Sequence, residues 1–305
     1  MTAGQESDVR QRAVQVRGID LHLYEAGPPD GPPVLLLHGF PDSAVIWRHQ
    51  IDALASAGFR VVAPDLPGYG RSGKPLAVDR YRLAELVADM VSLLATLGLR
   101  SVAVVGHDWG AVLAWQLALA RPQRVSRLVA LSVGHPRAVI AGGLAQAIRS
   151  RYMLAFVVPG LAERVLPLND WATFRRKAWG STVPGSEPDA DRQITEMSQP
   201  GALTAGLSWY RANLRPHLRD RVRRRVPGRS PAATSVGSEP RDHVVHCPVL
   251  GVWSSDDPFL TEAQMTASAK WVDGGWRYER FDGVDHWIQV HGTARLNALL
   301  LEFLG

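Results

Sequence analysis

The sequence has a single cysteine, Cys247, and only three lysines, Lys74, Lys177 and Lys270. One thiol cannot close an internal disulfide, so stability must come from a packed core, and so little cysteine fits a reducing compartment. No apolar run approaches the roughly 18 residues that a membrane-spanning helix needs. Met1 to Arg12 is polar and lacks the apolar stretch of a secretory leader. A cytoplasmic protein without a membrane span is therefore expected. The ten histidines show no metal-ligand spacing, and no metal or cofactor is expected. The net charge of +5 raises nucleic acid as a partner, but the arginines are scattered except for one cluster, so that partner is not expected.

What the chain does have is length and alternation. Its 305 residues, 46% of them hydrophobic, suit one sizeable domain with an insertion, or two small ones. Ala13 to Val16 and Asp20 to Glu25 read as an edge hairpin, and Gly27 to Pro33 as a surface loop. Strands at Val34–Leu37, Arg60–Ala63, Val102–Val105 and Arg127–Val133 alternate with helices at about Ala44–Ala57 and Arg82–Leu97. Such alternation predicts βαβ units and a parallel sheet. From Gly134 to about Asn213 it stops, leaving helix-like segments rich in Trp, Tyr and Pro, too long for a loop and read as a folded insertion. A basic, Pro- and Ser-rich stretch runs from Arg215 to about Arg241. The pattern then resumes with strand Val249–Trp253, a helix near Thr261–Trp271, strand Trp276–Phe281 and a terminal helix from about Thr293 to Phe303.

Between a strand and a helix lies Gly106-His107-Asp108-Trp109-Gly110, with small residues two positions either side of a candidate nucleophile. That is the spacing of a nucleophile elbow, with aspartate in place of serine. A carboxylate of ordinary pKa, about 3.9, is ionised at neutral pH and needs no base to attack a strained sp³ carbon. Attack leaves an ester that must be hydrolysed. His286, after the last strand, is the candidate base for the hydrolytic water, and Asp257 the acid that orients it. Adjacent Asp256 and nearby His291 are rivals for those two roles, and His107 reads as a packed structural residue. Backbone amides of Phe40 and Trp109 would form the oxyanion hole. The plain alternative for Asp108 is a helix N-cap.

With His38-Gly39-Phe40-Pro41, Trp47-Arg48-His49-Gln50, the elbow and Gly283 to Trp287, the chain resembles the epoxide hydrolases of the α/β-hydrolase fold over nearly its whole length. The resemblance implies a mostly parallel eight-stranded sheet flanked by helices, with a helical cap after strand 6. The core would be 1–133 and 247–305, and the cap 134–246, ending in a basic return linker at about 215–246. It also implies two cap tyrosines that bind and acidify the epoxide oxygen, here Tyr152 and Tyr210 in Trp209-Tyr210-Arg211. His38, Pro41, Phe156 and Trp287 are expected to line the pocket of a small apolar substrate. Asp285 departs from the family, which usually has glycine there.

Haloalkane dehalogenases share an aspartate nucleophile, but they often place Asn after the His-Gly pair, where this chain has Phe40. A catalytically silent binding protein on the same fold is a third reading. Arg219 to Arg225 could bind a polyanion or act as a nuclear-type signal, but its Pro, Gly, Ser and Ala neighbours favour a solvated return loop. A homodimer is the one protein assembly considered, and the substrate expected is a small apolar epoxide.

Overall fold

The computed structural model describes residues 8–140, 143–176, 187–224 and 243–305. Eight strands form one sheet: β1 (Arg10–Val16), β2 (Ile19–Ala26), β3 (Pro33–Leu37), β4 (Arg60–Pro64), β5 (Val102–His107), β6 (Val125–Leu131), β7 (Val249–Ser254) and β8 (Trp276–Phe281), in the spatial order β1-β2-β4-β3-β5-β6-β7-β8. Only β2 runs antiparallel to its neighbours, β1 and β4. All other pairings are parallel, as the alternation of strand and helix requires. The central strand β5 is buried at every position, as a strand covered on both faces by helices must be.

Helices α1 (Arg48–Ser56), α2 (Leu83–Thr96) and α3 (Trp109–Ala120) make the crossovers. α3 buries most of its circumference, and its alanines let it lie close over β5 and β6. Between β6 and β7 the chain forms α4 (Pro136–Ile140), α5 (Gly143–Arg149), α6 (Met153–Val157), α7 (Leu161–Val165), α8 (Leu168–Phe174), α9 (Glu187–Met197) and α10 (Ala202–Arg224), with no strand among the described residues. α11 (Glu262–Thr266), α12 (Ile288–His291) and α13 (Thr293–Leu304) complete the chain.

Two expectations change. The helix expected near Thr261–Trp271 is a five-residue α11 followed by a 3-10 turn, Ala267–Trp271. The basic return segment does not begin as a loop at Arg215, because α10 carries the helix on to Arg224. The helix continues through Pro216. The rest of that segment, 225–242, lies outside the described residues.

Candidate active site

Four strand ends build the site. β5 ends at His107, and the chain turns at once into α3, forcing Asp108 to φ +51° and ψ −121°. A non-glycine residue held there stores about 1–3 kcal/mol of strain. The turn is tight enough that a Cβ at Gly110 would collide with the carbonyl oxygens of Leu37 and His38, and one at Gly106 with the carbonyl of Gly110. The two small residues of the motif are thus demanded by backbone contacts. Asp108 heads α3, but its side chain makes no capping bond. Instead Oδ1 accepts the amide of Phe40 at 3.0 Å, from the loop that follows β3. Gly39 makes that approach feasible, since a Cβ there would overlap the Asp108 side chain.

The loops after β7 and β8 bring the candidate acid, Asp257, and the candidate base, His286. His286 Nδ1 lies 2.8 Å from Asp257 Oδ2, and His286 Nε2 lies 3.8 Å from Asp108 Oδ2. The other Asp257 oxygen accepts the amides of Phe259 at 2.8 Å and Leu260 at 3.0 Å, so its carboxylate is aimed from both sides. Asp256 takes a hydrogen bond from Ser255, and His291 pairs with Asp285 at 2.7 Å. Neither rival is hydrogen-bonded to Asp108. His107 packs its ring 4.4 Å from that of His286 and bonds the His286 carbonyl through Nε2 at 2.9 Å.

The electrostatics follow from burial among these charges. Burial raises the Asp108 pKa, opposed by the His286 charge and by the amides of Trp109 and Phe40. For His286, burial works against the cation, but Asp257, by charge and hydrogen bond, and then Asp108 and Asp285 outweigh it and push the pKa up to about 9. Asp285 thus favours the imidazolium as well.

An aromatic cage stands over the carboxylate. Tyr210, on α10, packs edge-on against Trp109, Phe40 and Phe156, with centroids 5.0 to 5.5 Å away. Tyr152, half-buried, touches Phe156 and Phe259. Burial raises the pKa of both phenols, each influences the other, and the Asp108 charge raises both further. They are protonated donors at any ordinary pH. Arg211 holds them in relation, reaching from α10 to the Phe156 carbonyl at 3.1 Å while paired with Glu163 at 2.7 Å.

The other expected pocket residues divide. Phe156 is in the cage, and Pro41 follows Phe40 through a cis peptide. Trp287 is buried, with its indole N–H donated to Asp42 at 3.0 Å. His38 does not offer its imidazole to a substrate. It is fully buried, Nε2 accepts the Leu66 amide at 2.9 Å, and Nδ1 lies 3.0 Å from the Gly39 carbonyl. Both nitrogens are committed to backbone, so this histidine joins the loops after β3 and β4.

Two residues escaped the sequence reading. Arg149, ending α5, donates to the carbonyls of Asp257 at 2.5 Å and Leu260 at 2.6 Å. Gln146, one turn earlier, donates to the Phe259 carbonyl at 2.9 Å and accepts the Thr261 amide at 3.0 Å. Together they clamp the loop that carries Asp257. The i, i+3 pairing of Gln and Arg on an otherwise apolar helix was the available signal.

A model of the α/β-hydrolase fold matches residues 32–293. Epoxide hydrolase A of Mycobacterium tuberculosis is 35% identical, covering 96% of this chain and 97% of that protein. The AB hydrolase superfamily protein YfhM of Bacillus subtilis is 34% identical over 97% of this chain and 98% of its own length. Among solved structures, a Bacillus megaterium epoxide hydrolase in complex with an inhibitor superimposes with a TM-score of 0.79, at 26% identity, covering 96% of this chain and 99% of that one. With this sheet and elbow, and with relatives matched from end to end, the chain belongs to the α/β-hydrolase-fold family, in the group that contains the epoxide hydrolases.

Proposed function

We propose that the protein opens an apolar epoxide to a vicinal diol through an alkyl ester of Asp108. One observation carries the reading: the two Asp108 oxygens are already differentiated. Oδ1 accepts the Phe40 amide, while Oδ2 faces His286 with both phenols in electrostatic reach. Oδ2 attacks an epoxide carbon, the ring C–O bond breaks, and Tyr152 or Tyr210 protonates the departing oxygen. That phenolate recovers its proton from solvent. In the ester, Oδ1 is the carbonyl oxygen, and it already sits where an oxyanion must be stabilised.

Ester formation also prepares the second step. Asp108 loses its negative charge, and His286 loses one of the charges that hold its pKa up. The imidazolium releases its proton to solvent just when a base is needed. Neutral His286 then deprotonates a water that attacks the Asp108 carbonyl carbon, with Asp257 stabilising the new cation. The tetrahedral intermediate expels the diol with Oδ2 in it, and His286 protonates the leaving oxygen. Water supplies the oxygen that restores Asp108.

Phenols are needed for an epoxide oxygen, which must end as a hydroxyl, and not for a departing halide, so they favour epoxide over haloalkane chemistry. The test is one turnover with excess enzyme in oxygen-18 water and styrene oxide. The first diol should carry unlabelled oxygen from Asp108, and the Asp108 peptide should gain label. Fully labelled diol with an unlabelled peptide would overturn the ester mechanism. No turnover of epoxides, with turnover of haloalkanes, would select the dehalogenase reading.

A further inference from the structure

Seven of the eight large apolar side chains exposed among the described residues lie between Leu144 and Leu168. They recur four residues apart in three successive pieces of chain: Leu144 and Ile148 on α5, Leu154 and Val158 at α6, Leu161 and Val165 on α7, with Leu168 just beyond. Residues four apart lie on one helix face, so each piece turns an apolar stripe outward. Leu144 is 77% exposed and Leu154 56%. α6 packs directly against α7, and α5 against the turn that leads into α6. Scattered single residues of this kind are ordinary, whereas a contiguous set marks a contact surface.

Charge selects the partner. From Gly134 to Ala162 the sequence contains Arg137, Arg149 and Arg151 and no acidic residue. Arg151 is exposed between the α5 and α6 stripes, and Arg164 is exposed within α7. The first acid to follow, Glu163, is neutralised by its ion pair with Arg211. Apolar stripes edged by arginine are the composition of helices that lie in the interface of an anionic bilayer. Self-association through the same face would set arginines against arginines, since a two-fold axis pairs a patch with itself.

We infer that α5 to α7 form a peripheral docking surface for an anionic lipid bilayer. Among the described residues no helix is long and apolar enough to cross a membrane, so the protein would lie on the bilayer and not span it. The opposite side of this segment carries Tyr152 and Phe156 into the aromatic cage. Docking would therefore place the wall of the pocket at the lipid surface, where apolar molecules concentrate.

Co-sedimentation with vesicles of phosphatidylcholine, with and without phosphatidylglycerol, tests this apart from any reaction. Binding is expected to the anionic vesicles, to be much weaker on neutral ones, and to fall with added salt. Leu144→Ser with Ile148→Ser and Leu161→Ser should cut partitioning more than about ten-fold, the loss of three side chains' apolar contact. Arg151→Gln and Arg164→Gln should each cut it about five-fold. These side chains are exposed and outside the catalytic machinery, so thermal unfolding and turnover of a water-soluble epoxide should match the parent. No binding to anionic vesicles, or binding that the triple variant retains, overturns the proposal. So does a dimer in sedimentation velocity that the triple variant dissolves, because a second copy would then cover this face.

Discussion

His286 lies between two carboxylates whose charges last for different parts of the proposed cycle. Its pKa of about 9 belongs to the enzyme with Asp108 ionised. Once Asp108 is esterified, the rate of ester hydrolysis should rise with pH through a midpoint clearly below 9, and quenching of Trp109 in stopped-flow experiments can follow it. A midpoint at or above 9 would mean that Asp108 does not couple to the histidine. His286→Gln should accumulate enzyme heavier by one substrate, seen by intact-protein mass spectrometry, because attack survives and hydrolysis does not. In the proposed cycle the phenols act in the first step. Tyr152→Phe or Tyr210→Phe alone should slow alkylation modestly, since one donor partly replaces the other. The double variant should lose on the order of 10²- to 10⁴-fold, the usual worth of general acid assistance. Unchanged alkylation in the double variant would make both tyrosines packing residues.

At the scale of elements, the elbow and the α5 clamp behave differently. At Gly39 alanine must displace Asp108 itself, so Gly39→Ala should abolish alkylation more completely than it lowers the melting temperature. The clamp works through the acid loop. Gln146→Ala leaves the Thr261 amide and the Phe259 carbonyl without their partner, at about 0.5–1.5 kcal/mol for each of these part-buried hydrogen bonds. Since Asp257 orients the base of the second step in the proposed cycle, Gln146→Ala and Arg149→Met should slow ester hydrolysis more than alkylation. Single-turnover kinetics separate the two rates, and equal losses would reduce the clamp to general stability.

Across the whole molecule, a buried polar network ties α9 to the core. Asp42, in the loop after β3, accepts Arg192 at 3.0 Å, Gln193 at 2.7 Å and the Trp287 indole at 3.0 Å. Arg192→Met leaves a buried carboxylate without its counter-ion and should cost on the order of 3 kcal/mol, read by urea denaturation. Folding is linked to pH through His286 as well. Its folded pKa of about 9 exceeds the unfolded value of about 6.5. The stabilisation is therefore complete below about pH 6.5 and is lost as pH rises through 9. His286→Gln should flatten that part of the stability profile. The sequence by itself determined the order of strands and helices, the spacing of the turn at Asp108, and the short lists of acids and bases that follow the last strands. Each depends on spacing within about ten residues, where backbone geometry dictates side-chain type. Only the tertiary structure brought Asp257 and His286 beside Asp108 and set His291 against Asp285 instead, committed both nitrogens of His38 to backbone, and carried α10 on to Arg224. It alone joined Arg149 to the Asp257 loop, 108 residues away. Contacts at that separation depend on how strands stack and helices cross, and such packing leaves no periodic trace along the chain.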